Sequence, residues 1–432
     1  MSLPALTLAL ASLFAPVARA QDAYSLADCF RLAVARSDVM AENSESIRQA
    51  EEGIRQARAN FLPTVSFAAT WLRQQTPQGL GQSLFPSSQR TTEFTATQSL
   101  FKGLQDLATL RQKKSLVRAS AQAWRKAYLQ LYQDTASAYF AVLEDEHDLR
   151  NYGRELAADR SRQEQLTVQR KYGRAREADV VSIEASIASV EASMASTRGT
   201  LGADRETLAY LTGLEPGVAL VDVDSVPELS RPLADWQARV DARPDVEEAR
   251  RNWEAADHAV ASAEGGHLPT LSVTGDYYPS RSGVYNGVHW DGQLSLSVPI
   301  FSGGLTQAQV RQAVSARTSQ QAAYDLARRQ AVESIRSVYQ TVAQELDESA
   351  KLADATRLYD RYYGLLLKDN QSGIATNVDV LLALATAEQT RRRSDRARLS
   401  SNYDYVRLRI ASADAEILAQ ANRGTNAAAH EE

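Results

Sequence analysis

Four short segments of the chain alternate apolar and polar side chains, as a β-strand with one apolar face does. Each segment is about 10 residues long, which is the length that a tilted strand needs to span a bilayer. The alternation fits two structures: strands that face lipid on one side, and a half-buried sheet in a soluble domain. The segments are residues 64–71, 93–99, 271–277 and 290–298.

Helical spacing marks two long stretches that contain no proline. None of the 12 prolines falls between residues 87 and 215 or after residue 299. In both stretches apolar side chains recur at intervals of three and four, which is coiled-coil spacing. A continuous helix from Leu104 to Lys171 would be on the order of 100 Å long, which is too long for a compact domain. The spaced residues are Ile183, Ile187, Val190 and Met194, and Val332, Ile335, Tyr339, Val342 and Leu346.

The chain is an internal duplication, because segments of its first half align on its second half at a nearly fixed interval. Phe94–Ser115 aligns without gaps on Leu294–Ser315, an offset of 200 residues. LPTVS at residue 62 and LPTLS at residue 268 are 206 residues apart. Each repeat contains a short helix, two strands and two long helices. We predict repeats at 21–213 and 234–418, a linker at 214–233 and a disordered tail at 419–432.

The N-terminal segment predicts export. Residues 1–20 contain a short apolar core and end in a small-x-small pattern, which is typical of a cleaved signal peptide. Cys29 is the single cysteine, so no disulfide can form within the chain. The 432 residues, of which 44% are hydrophobic, are enough for two ordinary domains or one extended repeat structure.

Candidate chemistry is sparse. The five histidines show no metal-ligand spacing, and the sequence contains no nucleophile with a base and no Walker-type phosphate loop. We therefore expect no metal site, no cofactor and no enzymatic activity. A net charge of -5 gives no indication of a nucleic-acid partner.

Four strands cannot close a barrel, because the smallest spanning barrels have about 8. A chain with four membrane strands must therefore share a barrel with copies of itself. A cyclic trimer would supply twelve strands and would leave no exposed edge.

The duplication, the paired LPTVS and LPTLS strand starts, VPIFSGG at 298–304 and SGIATNVDVL at 372–381 together resemble the TolC-like outer membrane efflux protein family. The resemblance covers the whole mature chain. It implies a mixed α and transmembrane β fold, in which a trimeric twelve-stranded β-barrel in outer-membrane lipid continues into a tunnel of long α-helices. It also implies the outer membrane of a Gram-negative bacterium, a tunnel in the periplasm, a periplasmic adaptor (membrane fusion protein) and an inner-membrane pump of RND or ABC type.

The resemblance places the lower tips of the tunnel at the two turns between the long helices. Gly173 and Gly373 can adopt the left-handed conformation that ends a helix. The tip residues expected to meet the adaptor are Gly173, Arg174, Ala175, Gly373, Ile374, Ala375 and Thr376.

Asp379 matches an aspartate that forms a ring at the constriction in the family, and Asp179 holds the equivalent place in the first repeat. Both are candidates for the periplasmic gate. A second interpretation is that Asp379 only closes a capping box with Thr376, and Asp179 lacks such a Ser or Thr. The family's second acidic position is Leu382 here.

Two further groups of residues are assigned to the sheet. Aromatic residues near the loop ends of the strands predict an interfacial girdle: Trp71, Tyr277, Tyr278 and Trp290. The strand-to-helix joins are placed at Phe101, Gly103, Pro299, Phe301 and Gly303.

The arginine cluster within residues 391–398 is expected to form a solvated helix face.

The predicted function is a passive trimeric duct that exports small molecules such as drugs, metals or other toxic solutes within a tripartite efflux system. One alternative is the same duct serving type I protein secretion. A more distant alternative is a periplasmic coiled-coil scaffold that transports nothing, against which the four alternating strands argue.

Overall fold

The computed structural model describes residues 23–75, 87–222, 225–282 and 285–414, together with Glu416, Ile417 and Ala419. The predicted signal peptide at 1–20 and residues 420–432 of the predicted tail lie outside the described residues. The described chain consists mainly of long helices and contains one four-stranded antiparallel sheet. The chain divides into two compact units, each built from three chain segments.

The elements follow one another in the order of the two repeats, so the predicted four strands and long helices are confirmed. The first half contains α1 (Leu26–Arg36), α2 (Asp38–Ala59), β1 (Thr64–Arg73), β2 (Ser88–Lys102), α3 (Gln105–Lys171) and α4 (Glu177–Thr212). The second half contains α5 (Leu233–Gln237), α6 (Pro244–Glu264), β3 (Thr270–Arg281), β4 (Trp290–Ser297), α7 (Leu305–Gln371) and α8 (Asn377–Ala411). Short 3-10 turns at Val240–Ala242 and Gly265–His267 flank α6.

The helix boundaries follow from local chemistry. Ser37 caps α2 by accepting a hydrogen bond from the Met40 N–H, and Pro244 occupies the first turn of α6, where no N–H is needed. Gly213, with a φ of 75°, ends α4 in the left-handed conformation. Helices α3 and α7 are each 67 residues long, as the absence of proline predicted.

One unit, called here the sheet unit, comprises the described residues within Ser37–Asp134, Val226–Lys351 and Ser400–Glu432. Its strands lie in the order β1-β2-β3-β4, so β2 and β3 pair in the middle and join the two repeats. Its helical core packs Ile335 and Val342 of α7 against Trp236, Val246 and Leu408.

The pairing register gives the sheet two chemically different faces. Phe67, Phe94, Tyr277 and Trp290 form one cross-strand row on the apolar face. Ser66, Thr95, Asp276 and Asp291 form the adjacent row on the polar face. On the polar face the Thr95 hydroxyl donates to Asp276 Oδ1 at 2.6 Å. The alternation is in phase across all four strands where Phe94–Ser99 of β2 pairs with β3, and a register shift between β2 and β3 bounds this part on each side.

The other unit, called here the hairpin unit, comprises the described residues within Met1–Arg36, Thr135–Ser225 and Leu352–Leu399. Its apolar contacts lie between the antiparallel parts of α3 and α4, where Val142 packs with Leu201 and Leu208. Near the turns, Leu166 packs with Val180 and Ile183. In the part of the chain that the structure describes, no helix has both the length and the apolar composition required to cross a membrane.

Candidate functional site at the hairpin turns

Both turns between the long helices have the same backbone geometry. Gly173 has a φ of 67° and Gly373 a φ of 77°, and each follows the last turn of a long helix. The Arg174 N–H donates to Gln169 O at 2.9 Å, and the Ile374 N–H donates to Asp369 O at 2.8 Å. These bonds, with those of the two glycine N–H groups, form the Schellman arrangement that ends a helix. The glycines were therefore predicted correctly as helix-ending residues.

The remaining tip residues lie at the surface of the hairpin unit. Of the residues expected to meet an adaptor, Ala175 and Ala375 are half-buried, whereas Arg174, Ile374 and Thr376 are exposed. Adaptor docking at these residues stays a prediction.

Asp379 forms the capping box that its sequence spacing indicated. The Thr376 N–H donates to Asp379 Oδ2 at 2.9 Å and the Thr376 hydroxyl donates to the same oxygen at 2.6 Å. The Asp379 N–H donates back to the Thr376 hydroxyl oxygen at 3.2 Å. These bonds lower the pKa of Asp379, and its carboxylate is exposed and ionised at neutral pH. The capping box is present, and the gate role stays a prediction.

Asp179 has a different environment. Its carboxylate accepts the Arg176 N–H at 3.0 Å and the Arg176 Nη2 at 2.8 Å. Bonds from the Arg176 side chain, and more weakly from the Asn377 amide, lower the pKa of Asp179. The residue is only 5% exposed. Arg176 takes the place of the missing Ser or Thr, a substitution that is not evident from the sequence.

A buried arginine connects the two hairpins. Arg162 of α3 is 7% exposed, and its Nη2 donates to the side-chain oxygens of Asn370 and Asn377. Asn370 Nδ2 in turn donates to Ala375 O at 2.9 Å and to Asn377 Oδ1 at 3.3 Å. Burial lowers the pKa of Arg162. Arg162, Asn370, Asn377 and Asp179 thus form one polar cluster, called here the turn cluster.

The sequence carries a signal for this cluster that the repeat alignment reveals. At the offset of 200, Asn370 and Asn377 correspond to Arg170 and Glu177, which form an ion pair across the first turn. The second turn has two neutral amides at the same places. Amides can accept hydrogen bonds from a third side chain, and Arg162 supplies that donor.

The expected solvated face of the arginines within residues 391–398 is wrong for three of them: Arg391, Arg392 and Arg398 are half-buried, whereas Arg393 and Arg396 are exposed. Arg392 pairs with Glu155 at 2.5 Å, and Arg396 pairs with Asp148 at 2.5 Å. Both acidic residues lie on the buried side of α3, where burial raises the pKa of Glu155. The acids are seven residues apart along α3, so they lie on one face of the helix and meet α8.

The predicted girdle and joins lie in the sheet unit. Trp71, Tyr277 and Trp290 are exposed on the apolar face. Tyr278 is buried, and the Arg281 Cζ lies 4.2 Å from its ring centroid. Adjacent residues of a strand point to opposite faces, so Tyr278 does not share a face with Tyr277.

The joins lie where they were predicted in the chain. Phe101 is the second-to-last residue of strand β2, which precedes α3. Pro299 and Phe301 lie between β4 and α7. Gly103 and Gly303 have φ values of 59° and 63°. Among the described residues, no group of three His, Cys, Asp or Glu side chains is placed to hold a metal ion.

Comparison with known proteins identifies the family. The family described as outer membrane efflux protein matches residues 30–214 and 237–413, so the chain belongs to the outer membrane efflux protein family. Outer membrane protein TolC of Escherichia coli (strain K12) is 25% identical over 384 residues, which are 84% of this chain and 76% of TolC. The predicted family and its localisation in the outer membrane are confirmed.

Solved structures share the fold. The outer membrane protein VceC of Vibrio cholerae has a TM-score of 0.79 at 19% identity, covering 90% of this chain and 95% of VceC. The CmeC outer membrane channel of Campylobacter jejuni has a TM-score of 0.80 at 16% identity, covering 93% of this chain and 89% of CmeC. The predicted fold class is thereby confirmed, and the chain is an outer membrane efflux channel.

Proposed function

We propose that three copies of this chain form a duct through which small toxic solutes leave the cell, in a tripartite system with a periplasmic adaptor and an inner-membrane pump of RND or ABC type. The observation that carries the proposal is the two-faced sheet. Its rows of apolar and polar side chains continue in phase across all four strands through the middle of the sheet, where Phe94–Ser99 of β2 pairs with β3.

Such a sheet suits a wall between lipid and water. The apolar face, with Val65, Leu294 and Leu296, contacts hydrocarbon, and Trp71, Tyr277 and Trp290 lie nearer the loop end of the strands, at the interface with the head groups. The opposite face presents hydroxyl and carboxylate groups to a water-filled lumen. A solute can therefore pass without contacting hydrocarbon, and the duct itself supplies no energy.

The turns regulate access to this duct. Three-fold symmetry would bring three copies of Asp379 towards one axis, where exposed carboxylates attract cations and repel one another. Asp179 contributes less, because Arg176 already neutralises it. The turn cluster holds the second hairpin against the first in the resting state, and the adaptor contacts the exposed tip residues when the duct opens.

The test begins with the purified protein in detergent and in planar bilayers. A trimer that migrates faster on unheated gels and that forms water-filled channels is expected. Cells that lack the gene should become more sensitive to a panel of toxic compounds, and the wild-type gene should restore resistance. A monomeric protein that leaves lipid vesicles impermeable would contradict the proposal.

A further inference from the structure

The charged side chains of the strands are divided between the two faces of the sheet. Arg73 and Arg90 lie on the apolar face, because the regular β1·β2 register places Arg90 opposite Trp71 and Arg73 follows Trp71 by two residues. Within the four described strands, every carboxylate lies on the polar face: Glu93, Asp276 and Asp291. The apolar face therefore carries two cations and no acid of its own strands near the loop end.

Both arginines lie at the end of the strands that is farther from the helices in the chain. Thr64 of β1 follows α2 and Lys102 of β2 leads into α3, whereas Arg73 and Ser88 adjoin the loop that connects the two strands. The channel lies in the outer membrane with its helical tunnel in the periplasm, so the loop end of the strands reaches the outer leaflet. An arginine on the lipid side of a strand is strongly destabilising at the bilayer centre but costs little near the interface. Arg73 and Arg90 therefore fit the level of the lipid head groups.

Trp71 holds the Arg90 guanidinium in place. The Arg90 Cζ lies 5.5 Å from the centroid of the Trp71 ring, which is a cation–π distance. The Trp71 Nε1 donates to the Ser88 hydroxyl at 2.8 Å, which fixes the ring. A cation–π contact at this distance leaves N–H groups of a guanidinium available as donors. The contact positions Arg90 and keeps its capacity to bind an anion.

Neither arginine is neutralised within the chain. Both side chains are exposed, and no carboxylate pairs with Arg73 or Arg90 in the part of the chain that the structure describes. The connecting segments 74–87 and 282–289 contain no Asp or Glu. The loops at this end therefore supply no acid that could pair with the two arginines, and the anion that balances them comes from outside the chain.

We infer that Arg73 and Arg90 bind the phosphate group of a glycolipid in the outer leaflet, an inference that rests on the proposed orientation of the sheet in lipid. Arg73 lies opposite Ser88 and Arg90 opposite Trp71, so the two arginines are diagonal neighbours on one face. Diagonal neighbours are roughly 7–8 Å apart, and long side chains span that distance. The two guanidinium groups can therefore donate to one phosphate from two sides.

The apolar surroundings favour a lipid over a free phosphate ion. Trp71 and Phe67 lie on the same face beside the arginines and are 68% and 59% exposed. A phosphate that carries acyl chains covers these rings, whereas inorganic phosphate leaves them uncovered. Burial of apolar surface is favourable, so the acyl chains add to the affinity of the charged contacts. A phosphorylated, acylated sugar of the outer leaflet supplies both parts.

Lipid binding to the purified trimer in detergent tests this site. Native mass spectrometry measures the apparent Kd for bisphosphorylated lipid A, for lipid A without phosphate and for phosphatidylglycerol, and inorganic phosphate is added as a competitor. The test variant is Arg73→Gln with Arg90→Gln. Arg281→Gln is the matched control, because Arg281 lies at the same end of the sheet on the polar face, opposite Thr91, and pairs with Asp291 at 3.8 Å.

The wild-type trimer should bind bisphosphorylated lipid A at least about tenfold more tightly than the phosphate-free form, because the charge-assisted hydrogen bonds require the phosphate. The double variant should lose this preference, and Arg281→Gln should change the Kd less than about twofold. Equal affinity of the wild type for both forms, or a preference that survives in the double variant, overturns the site. Equal affinity for phosphatidylglycerol overturns the glycolipid as the ligand, and displacement by inorganic phosphate reduces the site to one for a soluble ion and overturns the lipid.

The comparison of lipids on the wild-type trimer decides the question even if the double variant does not assemble. Arg73→Gln alone is a second variant, because the Arg73 side chain has no partner among the described residues, and it should lose part of the preference. A trimer that conducts but does not distinguish the lipids overturns this inference and leaves the proposed function standing. A protein that neither trimerises nor conducts overturns the proposed function.

Discussion

The two hairpin turns have the same backbone but differ in how their carboxylates are neutralised. In the first turn, Arg170 pairs with Glu177 and Arg176 pairs with Asp179. In the second turn the corresponding positions hold two asparagines and the Thr376–Asp379 capping box. In the first turn, each of these carboxylates is therefore paired with an arginine of the same turn. The second turn presents an exposed carboxylate, that of Asp379.

The difference shows which part of the turn is fixed by chain geometry and which part is free to carry function. Reversing two long helices requires the left-handed glycine and the Schellman bonds, and these are the same in both repeats. The flanking polar side chains have no such constraint. The flanking side chains can therefore differ between the two turns, as the Arg176–Asp179 pair and the Thr376–Asp379 capping box do.

The largest expected effect comes from removing the link between the hairpins. Arg162→Ala should lower the free energy of local opening at the second turn by about 1 kcal/mol, because the half-buried oxygens of Asn370 and Asn377 lose the hydrogen bonds from Arg162. Amide hydrogen exchange over residues 369–380 measures this. Arg160→Ala is the control, since the Arg160–Glu191 pair is exposed and such pairs contribute roughly 0.2–1 kcal/mol. Equal effects of the two variants would remove the special role of Arg162.

The gate assignment predicts a difference between two isosteric variants. Asp379→Asn should weaken block by a divalent cation in planar bilayers by about tenfold, because three exposed charges are removed near one axis. Asp179→Asn should change the block less than about twofold, because each removed charge is already paired with Arg176. If both variants leave single-channel traces unchanged, Asp379 has a capping role only.

The pH dependence of the first turn follows from the lowered pKa of Asp179. Its ordinary value is 3.8, and bonds from Arg176 move it lower. The ionised carboxylate therefore stabilises the start of α4 above about pH 4, by roughly 0.3–1 kcal/mol, and this is lost as the pH falls through the lowered pKa. Hydrogen exchange over residues 177–182 as a function of pH measures the loss, and Asp179→Asn should abolish it. An unaltered pH profile in that variant would assign the dependence to another group.

The smallest effects test the shared backbone. Gly173→Ala and Gly373→Ala should each destabilise their turn by about 1 kcal/mol, because alanine is strained at positive φ. Gly199→Ala is a control of opposite sign, because this glycine lies inside α4 and alanine favours helix by about 1 kcal/mol. Local hydrogen exchange distinguishes the two signs. A stabilising effect at either turn would mean that its glycine does not hold the left-handed conformation.

Much of the fold could be predicted because its signals are local. The alternation of Leu294, Leu296 and Val298 identifies a strand, and the absence of proline identifies α3 over 67 residues. The repeat alignment then gives the order of elements. In the site, the glycines and the Thr376–Asp379 box were predictable because the bonded partners are three to five residues apart.

The contacts that were missed join distant parts of the chain. Arg162 meets Asn370 across 208 positions, and Arg396 meets Asp148 across 248 positions. A cluster of arginines has the same local pattern whether water or a buried acid faces it. Tyr278 was misassigned for another reason: a register irregularity between β2 and β3 lies beside it, and the alternation of the strand places it away from Tyr277.

The open edges of β1 and β4 also bear on how the protein is made. A subunit that folds its sheet before it meets other subunits has two unpaired strand edges, which bind one another head to tail. Head-to-tail contacts polymerise into fibres when the rotation between neighbouring subunits does not close a ring. When three subunits close a ring, both strand edges of every subunit are paired. Biogenesis therefore favours keeping newly exported chains apart, or their strands unformed, until the surrounding lipid imposes the curvature that closes the ring.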